Sequence, residues 1–327
     1  MRLTVEMRFR GPVRIGTGGF GMEGSGLILH SDTLFSALYI AWLRLYGEPM
    51  PEMRVSSAFP RASGVVYYPR PQLPIPGLTP DDALAFGKSL KALRWVAEPS
   101  FFRWIRGAAF RAEDVHAMLE AEEVLDKKAA VRDRPRAAVD RFGAGTNLYW
   151  VGETFFADGD GLTFFAEVPD GEADRFCRAV EWLGDEGIGG RRSSGYGAFE
   201  PRFSASWPFE AATAGEAAGG SAGNAAGYVL LSLYGPNADE RRRVVALLQA
   251  YHLVERTGWT ESVGGQPGLR HRRVVMVAEG SVLREPVEGG IVDVAPDGFP
   301  HPVYRYGKAF LVGASASDGG AGDAGAE

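Results

Sequence analysis

Residues 148–199, LYWVGETFFADGDGLTFFAEVPDGEADRFCRAVEWLGDEGIGGRRSSGYGAF, carry the pattern that decides the fold. Two β-rich runs, 148–156 and 162–168, alternate around the turn Asp158-Gly159-Asp160-Gly161, which predicts a hairpin. The period then changes: over 172–184, Phe176, Val180 and Leu183 fall on one helical face. A strand pair followed by a helix and a glycine-rich exit is the second half of a strand–helix–strand–strand–helix–strand unit, the ferredoxin-like order.

Upstream lies the first half of that unit. Over residues 2–10, Leu3, Val5, Met7 and Phe9 alternate with charged residues, so this run is a strand. The glycine-rich stretch GTGGFGMEGSG follows, and then the clearest helix, 32–46, with Leu34, Phe35, Leu38, Ala41, Trp42 and Leu45 at helical spacing and Gly47 as its stop. Residues 48–80 are proline-rich and predict an irregular insertion. A helix over 81–94 starts on Thr79 as cap, with Pro80 in its first turn and Asp81 and Asp82 at its positive end.

Residues 210–227, EAATAGEAAGGSAGNAAG, mark a linker. The pattern then restarts: a strand in YVLLSLY, a helix over 238–251 with Val244, Val245, Leu248 and Tyr251, a strand in RVVMV and a closing strand in AFLV. The fold class is α+β: two ferredoxin-like (RRM-type) domains with antiparallel sheets, a glycine-rich loop and an inserted hairpin. The expected limits are 1–208, a linker at 209–227, a second domain at 228–312 and a disordered acidic tail at 313–327.

The chain has 327 residues, 45% hydrophobic and 23% charged, ordinary for a soluble globular protein. No signal peptide and no membrane-length apolar run is present, and the expected location is cytoplasmic. Cys177 is the single cysteine, so an internal disulfide framework and a cysteine-rich zinc site are excluded. The net charge of −6 opposes nucleic-acid binding only weakly, because a polyanion responds to local potential. Arginines cluster at 132–141, 191–192 and 270–273.

Gly16 to Gly21 formally matches a dinucleotide glycine motif. More glycine and another apolar run follow it where a helix should start, so it is a glycine loop. At His30-Ser31-Asp32-Thr33, Ser31 or Asp32 caps the coming helix; such a helix end also attracts phosphate, an attraction that Asp32 weakens. The strongest signal is Gly187-Ile-Gly189-Gly190-Arg191-Arg192-Ser193-Ser194-Gly195-Tyr196-Gly197. Its glycines permit close backbone approach, its amides can form an anion nest, and Arg191 and Arg192 offer forked donors to phosphate, with Tyr196 as an aromatic face for a base. Tyr304 and Tyr306 share a strand face and predict core packing. The five histidines show no metal-ligand spacing, and no nucleophile has an adjacent base; only His30 lies near the expected RNA surface as a possible general base.

Taken together, HSDTLFSAL (30–38), GIGGRRSSGYGAF (187–199), LSLY, RTGWTES, EGS and HPVYRYGKAF (301–310) resemble the RAMP superfamily of CRISPR proteins. More narrowly, they resemble the fourth subunit of the type III-A (Csm) complex. The likeness is scattered over residues 1–312. It implies a non-catalytic RNA-binding subunit that grips the 5′ repeat-derived tag of the crRNA. It also implies docking to the large polymerase-like subunit and to the first backbone RAMP subunit, with no cofactor, metal, small-molecule substrate or membrane. On this resemblance Gly189, Gly190, Arg191, Arg192, Ser193, Gly195 and Tyr196 lie on the RNA loop. Ser31 and Asp32 lie on the first-helix motif. Arg136, Asp140 and Arg141 lie on a segment leading into a hairpin that acts as a thumb against the guide. Two other functions compete: a guide-processing endoribonuclease with His30 as base, and a protein-only scaffold.

Overall fold

The computed structural model describes residues 1–17, 23–140, 143, 145–210, 225–260 and 268–315. In the N-terminal half, β1 (Arg2–Phe9) buries Leu3, Val5 and Met7 on alternate positions, as the sequence requires. Helix α1 (Ser31–Tyr46) buries Leu34, Phe35, Leu38, Ala41 and Trp42 and ends on left-handed Gly47, whose N–H donates to the Leu43 carbonyl. Next come β2 (Arg54–Val55), β3 (Phe59–Ala62) and β4 (Val65–Pro69). The proline-rich insertion therefore contains three short strands. Of its prolines only Pro60 and Pro69 lie in them, while Val66, Tyr67 and Tyr68 are buried and pack as a strand should.

Thr79 caps the next helix in a reciprocal capping box with Asp82. The expected helix 81–94 is broken at Phe86 into α2 (Pro80–Ala85) and α3 (Gly87–Ala92). Strand β5 (Trp95–Ala97), α4 (Glu98–Ile105) and α5 (Ala112–Lys128) lead into β6 (Ala129–Val139) and β7 (Thr146–Phe156). The half is completed by β8 (Gly161–Glu167), α6 (Ala173–Glu186) and β9 (Phe199–Ser204).

The main sheet runs β5-β4-β3-β8-β1-β9, with β2 also on β8. Its β3-β8-β1-β9 part has the order 2-3-1-4 of a βαββαβ unit, with all neighbours antiparallel. The predicted hairpin of 148–156 with 162–168 does not form. Instead β7 pairs along its whole length with β6, from Ala129↔Phe156 to Val139↔Thr146, while β8 pairs with β1 and β3. The turn signal was local; burial decided the pairing. Leu162, Phe164, Phe165 and Ala166 are buried on both faces of β8, which places it mid-sheet, and Asp160 accepts from the Ser63 N–H at 2.7 Å, tying the turn to the β3–β4 corner.

The C-terminal half comprises β10 (Ala225–Leu230), β11 (Leu248–Ala250), β12 (Leu253–Arg256), β13 (Val274–Val277), β14 (Val282–Leu283), β15 (Gly289–Asp293), β16 (Tyr304–Lys308) and β17 (Leu311–Ser315). Its sheet, β11-β14-β10-β17, repeats the 2-3-1-4 order. The helices differ. The helix expected over 238–251 shrinks to a 3-10 turn at Glu240–Arg242 and one turn at Val244–Leu247. Val245 is 81% exposed, and residues 248–250 pair with β14 instead. Glu240 is buried and accepts from the Asn237, Glu288 and Gly289 N–H groups and from the Tyr234 hydroxyl, which fixes the chain in this path. The second crossover is a β15–β16 hairpin, not a helix. The strand starts at Ala225 and the last one continues to Ser315, so both ends of this half reach past the expected limits.

The two halves share their core. Phe59, Tyr68, Phe101 and Phe165 join Val229, Leu231, Val282, Phe310 and Val312 in one apolar cluster, with Trp207 and Phe209 wedged between. The β16 hairpin lies on α1, where Tyr306 is fully buried and stacks on Phe35 at 4.5 Å and Tyr304 meets Tyr39 edge-on at 5.8 Å. Core packing is as expected for Tyr306, whereas Tyr304 is 40% exposed at the hairpin's outer end. Among the described residues, no helix is long and apolar enough to cross a membrane and no group of side chains is suited to a metal ion.

Candidate nucleic-acid interface

The glycine loop leaves α6 through Gly187 and turns through left-handed Gly189, Arg191, Gly195 and Gly197. Most of these glycines serve the loop itself. A Cβ on Gly197 would lie 1.9 Å from the Ile188 carbonyl oxygen, and one on Gly189 would lie 2.4 Å from that of Arg14. Only Gly195 has open space around it. The amides of Ile188, Gly190, Ser194, Gly195, Tyr196 and Gly197 all donate within the protein, so these six do not form an anion nest. What the loop presents to solvent is Arg192, Ser193, Ser194 and Gly195.

Tyr196 is not a stacking face. It is 5% exposed, Arg191 lies 5.8 Å from its ring, and its hydroxyl meets Glu153 and accepts from Arg136 at 2.6 Å. Arg136 also contacts Glu153 at 3.3 Å, and Arg134 reaches it at 3.8 Å. Glu153 is almost fully buried, so this cluster locks the base of the β6–β7 hairpin to the glycine loop. The β6–β7 hairpin, a pairing not anticipated from the sequence, carries Arg132, Arg134 and Arg136 on one face and Pro135, Ala137, Val139, Leu148 and Trp150 on the other. Arg141 lies outside the described residues, as do most of the 16–21 motif, the interior of the Ala/Gly segment and the tail beyond Ser315.

Ser31 and Asp32 are fully buried and present no surface to a ligand. The Ser31 hydroxyl accepts from the Leu233 N–H at 3.0 Å. Asp32 accepts from Arg256 Nε at 2.8 Å and Nη2 at 2.9 Å, from the Thr33 N–H at 2.7 Å, and from Arg305. Burial pushes its carboxyl upward, but the charges of Arg256 and Arg305 outweigh this and hold it well below the usual carboxylate range. His271, which Arg305 approaches at 2.9 Å, is lowered by burial and by that neighbouring charge. His30 Nδ1 lies 2.8 Å from Glu279 Oε1, and the Ser57 hydroxyl donates to the same oxygen. Glu279 is buried, which raises its carboxyl, yet His30 draws it below its ordinary value. The motif at 30–32 is thus a set of polar clasps between the halves.

Both carboxylates have depressed values in the folded protein. They stabilise it above the unfolded carboxylate range, and that stability drains away as pH falls from about 4 toward their folded values. We expect urea midpoints to decline gently as pH falls below about 6.5, where the unfolded chain protonates His271 more readily than the folded one, and to drop further below about pH 4, with that second drop shallower in Glu279→Gln.

These clasps frame a cleft of about 580 Å³ between the glycine loop, the start of α1 and the segment after β12. Arg14, Gly189, Gly190 and Arg192 line one wall; Arg256, Thr257, Gly258, Trp259 and Arg270 line the other, with Thr33 and Ser36 of α1 on the floor. Burial and the charge of Arg191 both lower the Arg14 guanidinium, a sign of crowded positive charge at this wall. Of the cleft residues, Arg14 and Trp259 are not evident from the sequence as ligand contacts. Trp259 lies within RTGWTES, but nothing local says that its ring is exposed.

Residues 223–314 match the family model described as the CRISPR Csm4 C-terminal domain. The chain is 28% identical over 296 residues to "CRISPR system Cms protein Csm4" of Mycobacterium tuberculosis (strain CDC 1551 / Oshkosh), covering 89% of this chain and 91% of that one. The protein of the same name from Thermococcus onnurineus (strain NA1) is 26% identical over 309 residues, covering 89% and 93%. The chain is thus similar to Csm4 proteins over most of its length. Two solved structures share its fold. One is a Csm3–Csm4 subcomplex of the type III-A CRISPR-Cas interference complex, with TM-score 0.63, 16% identity and coverage of 95% and 99%. The other is a Csm1–Csm4 cassette in complex with pppApA, with TM-score 0.60, 20% identity and coverage of 97% and 99%. The likeness to the Mycobacterium tuberculosis protein covers both halves of the chain, whereas the family-model match lies in the second half alone.

Proposed function

We propose that this chain is the cytoplasmic, non-catalytic RNA-holding subunit of a type III-A CRISPR effector, that its cleft takes the 5′ tag of the crRNA, and that it bridges a Csm1-like large subunit to a Csm3-like backbone subunit. The observation that carries this reading is the cleft itself, where Arg14 and Arg192 of one half face Arg270 of the other across a groove whose lining also includes Glu23, with Arg256 in the wall but its guanidinium held by Asp32. Planar guanidinium forks suit phosphate oxygens, and single-stranded binders combine such a charged groove with aromatic platforms. In this reading the β6–β7 hairpin is the thumb against the guide, a role supported by its bracing on the glycine loop through Glu153 and Arg136. The non-catalytic reading draws support from His30: its Nδ1 is engaged by the buried Glu279 in a clasp between the halves, a structural job for the one histidine suspected as a base.

The test is the salt dependence of tag binding. Arg192 is exposed, so Arg192→Ala is expected to leave the fold intact and weaken binding of an RNA of tag sequence. The slope of log K against log salt should become shallower by roughly 0.7 for each phosphate that the protein no longer neutralises. Unchanged affinity and slope in a double Arg14→Ala, Arg192→Ala variant would remove the cleft from the RNA path. Metal-independent cleavage of repeat RNA that is abolished by His30→Ala would instead favour a processing nuclease.

A further inference from the structure

Trp259 is 69% exposed, a large apolar ring left in solvent at the edge of a cleft lined with arginines. Its backbone is nevertheless held on several sides. Trp259 and Arg270 form an antiparallel bridge. The next pair is doubly bonded: the Thr260 N–H donates to the Leu269 carbonyl at 2.8 Å, and the Leu269 N–H donates to the Thr260 hydroxyl at 2.9 Å. The preceding Gly258 is packed so closely on His271 that a Cβ there would lie 2.5 Å from Nε2. His271 contacts Arg305, and Arg305 and Arg256 both end on the buried Asp32. The ring is thus exposed on a support fixed from the core outward, at the edge of the cleft.

We infer that Trp259 is a stacking platform for one base of the bound single-stranded RNA, and that Asp32 is a positioning residue that holds this platform through Arg256, Arg305 and His271. This rests on the cleft being the RNA site and deepens it, by fixing where along the strand one nucleotide is held. The chemistry matches. The Arg270 guanidinium lies 5.8 Å from the indole centre, so a base on the ring would have a cation beside it for its own phosphate. Stacking reads no particular base edge, so the platform sets the position of the strand and tolerates sequence.

The experiment uses the full chain and a set of tag-length RNAs, each with one abasic position. Trp259→Ala should weaken binding of the intact RNA roughly 5- to 150-fold, and Trp259→Phe should recover much of that loss. In the parent protein one abasic position should weaken binding more than the others. In Trp259→Ala that difference should vanish, because the ring that felt it is gone. RNA should quench the fluorescence of the parent more than that of Trp259→Phe, the remaining tryptophans of the seven in the chain being common to both. If Trp259→Ala binds every RNA as the parent does while Arg14→Ala, Arg192→Ala weakens them all, the platform is refuted and the cleft stands. If neither variant changes binding, the RNA site itself is elsewhere. If Trp259→Ala weakens all RNAs but the abasic difference persists, the ring supports the wall and stacks on nothing.

Discussion

Asp32→Asn is expected to lower the unfolding free energy by about 3–5 kcal/mol, the range for breaking a buried ion pair on one side. The substitution keeps the size of the side chain and one acceptor oxygen, so its effect isolates charge. Two guanidiniums, Arg256 and Arg305, would remain buried around a neutral amide, and the amide nitrogen would point a donor at one of them. Because Arg256 belongs to β12 and Arg305 to β16, while Asp32 belongs to α1, the loss falls on the contact between halves. The urea midpoint of unfolding is the measurement. Tag affinity should fall with it even where the variant is fully folded, since Arg256 leads directly into the Thr257–Trp259 wall of the cleft. A midpoint equal to that of the parent would mean that the pair contributes nothing net and that the apolar contacts alone join the halves.

Gly197→Ala should be the most damaging single change in the glycine loop. Residue 197 has φ +76°, a left-handed conformation that costs an L-residue about 1–2 kcal/mol. Its new methyl would also lie 1.9 Å from the Ile188 oxygen, a clash that forces the loop to move and adds about 1–3 kcal/mol of overpacking. The Gly197 N–H donates to the Pro12 carbonyl and its own carbonyl accepts from Ile188, so the shift would pass to the wall that carries Arg14 and Arg192. Gly195→Ala serves as the control: φ is +80° there too, but nothing lies within 4 Å of the new atom. Thermal melts should therefore show a larger drop for residue 197 than for 195, and tag affinity should follow the same order. Equal drops would mean that backbone strain alone governs both sites.

The glycine loop also shows how a correct location can carry an incorrect reason. Its glycines looked like space for a ligand; in the fold, Gly187, Gly189 and Gly197 make space for the protein's own carbonyls. Tyr196 looked like a platform for a base and is instead a buried hydroxyl tied to Glu153 and Arg136. The exposed aromatic ring at the edge of the cleft, Trp259, lies in the other half of the chain.

Periodicity in the chain was enough to determine β1, α1 and α6 and the capping of α2 by Thr79, because each depends on side chains within one or two turns of each other; the second strand of the first-half unit, β3, lay unread in the proline-rich insertion. Pairing over long separations was decided only in three dimensions. Strand β7 joins β6 and not β8, the second half keeps the strand order while replacing a helix with the β15–β16 hairpin, and Asp32 meets arginines 224 and 273 residues away. A local pattern records which face of a segment is apolar; which partner covers that face, and which buried charge answers another, depends on the whole chain closing around a common core.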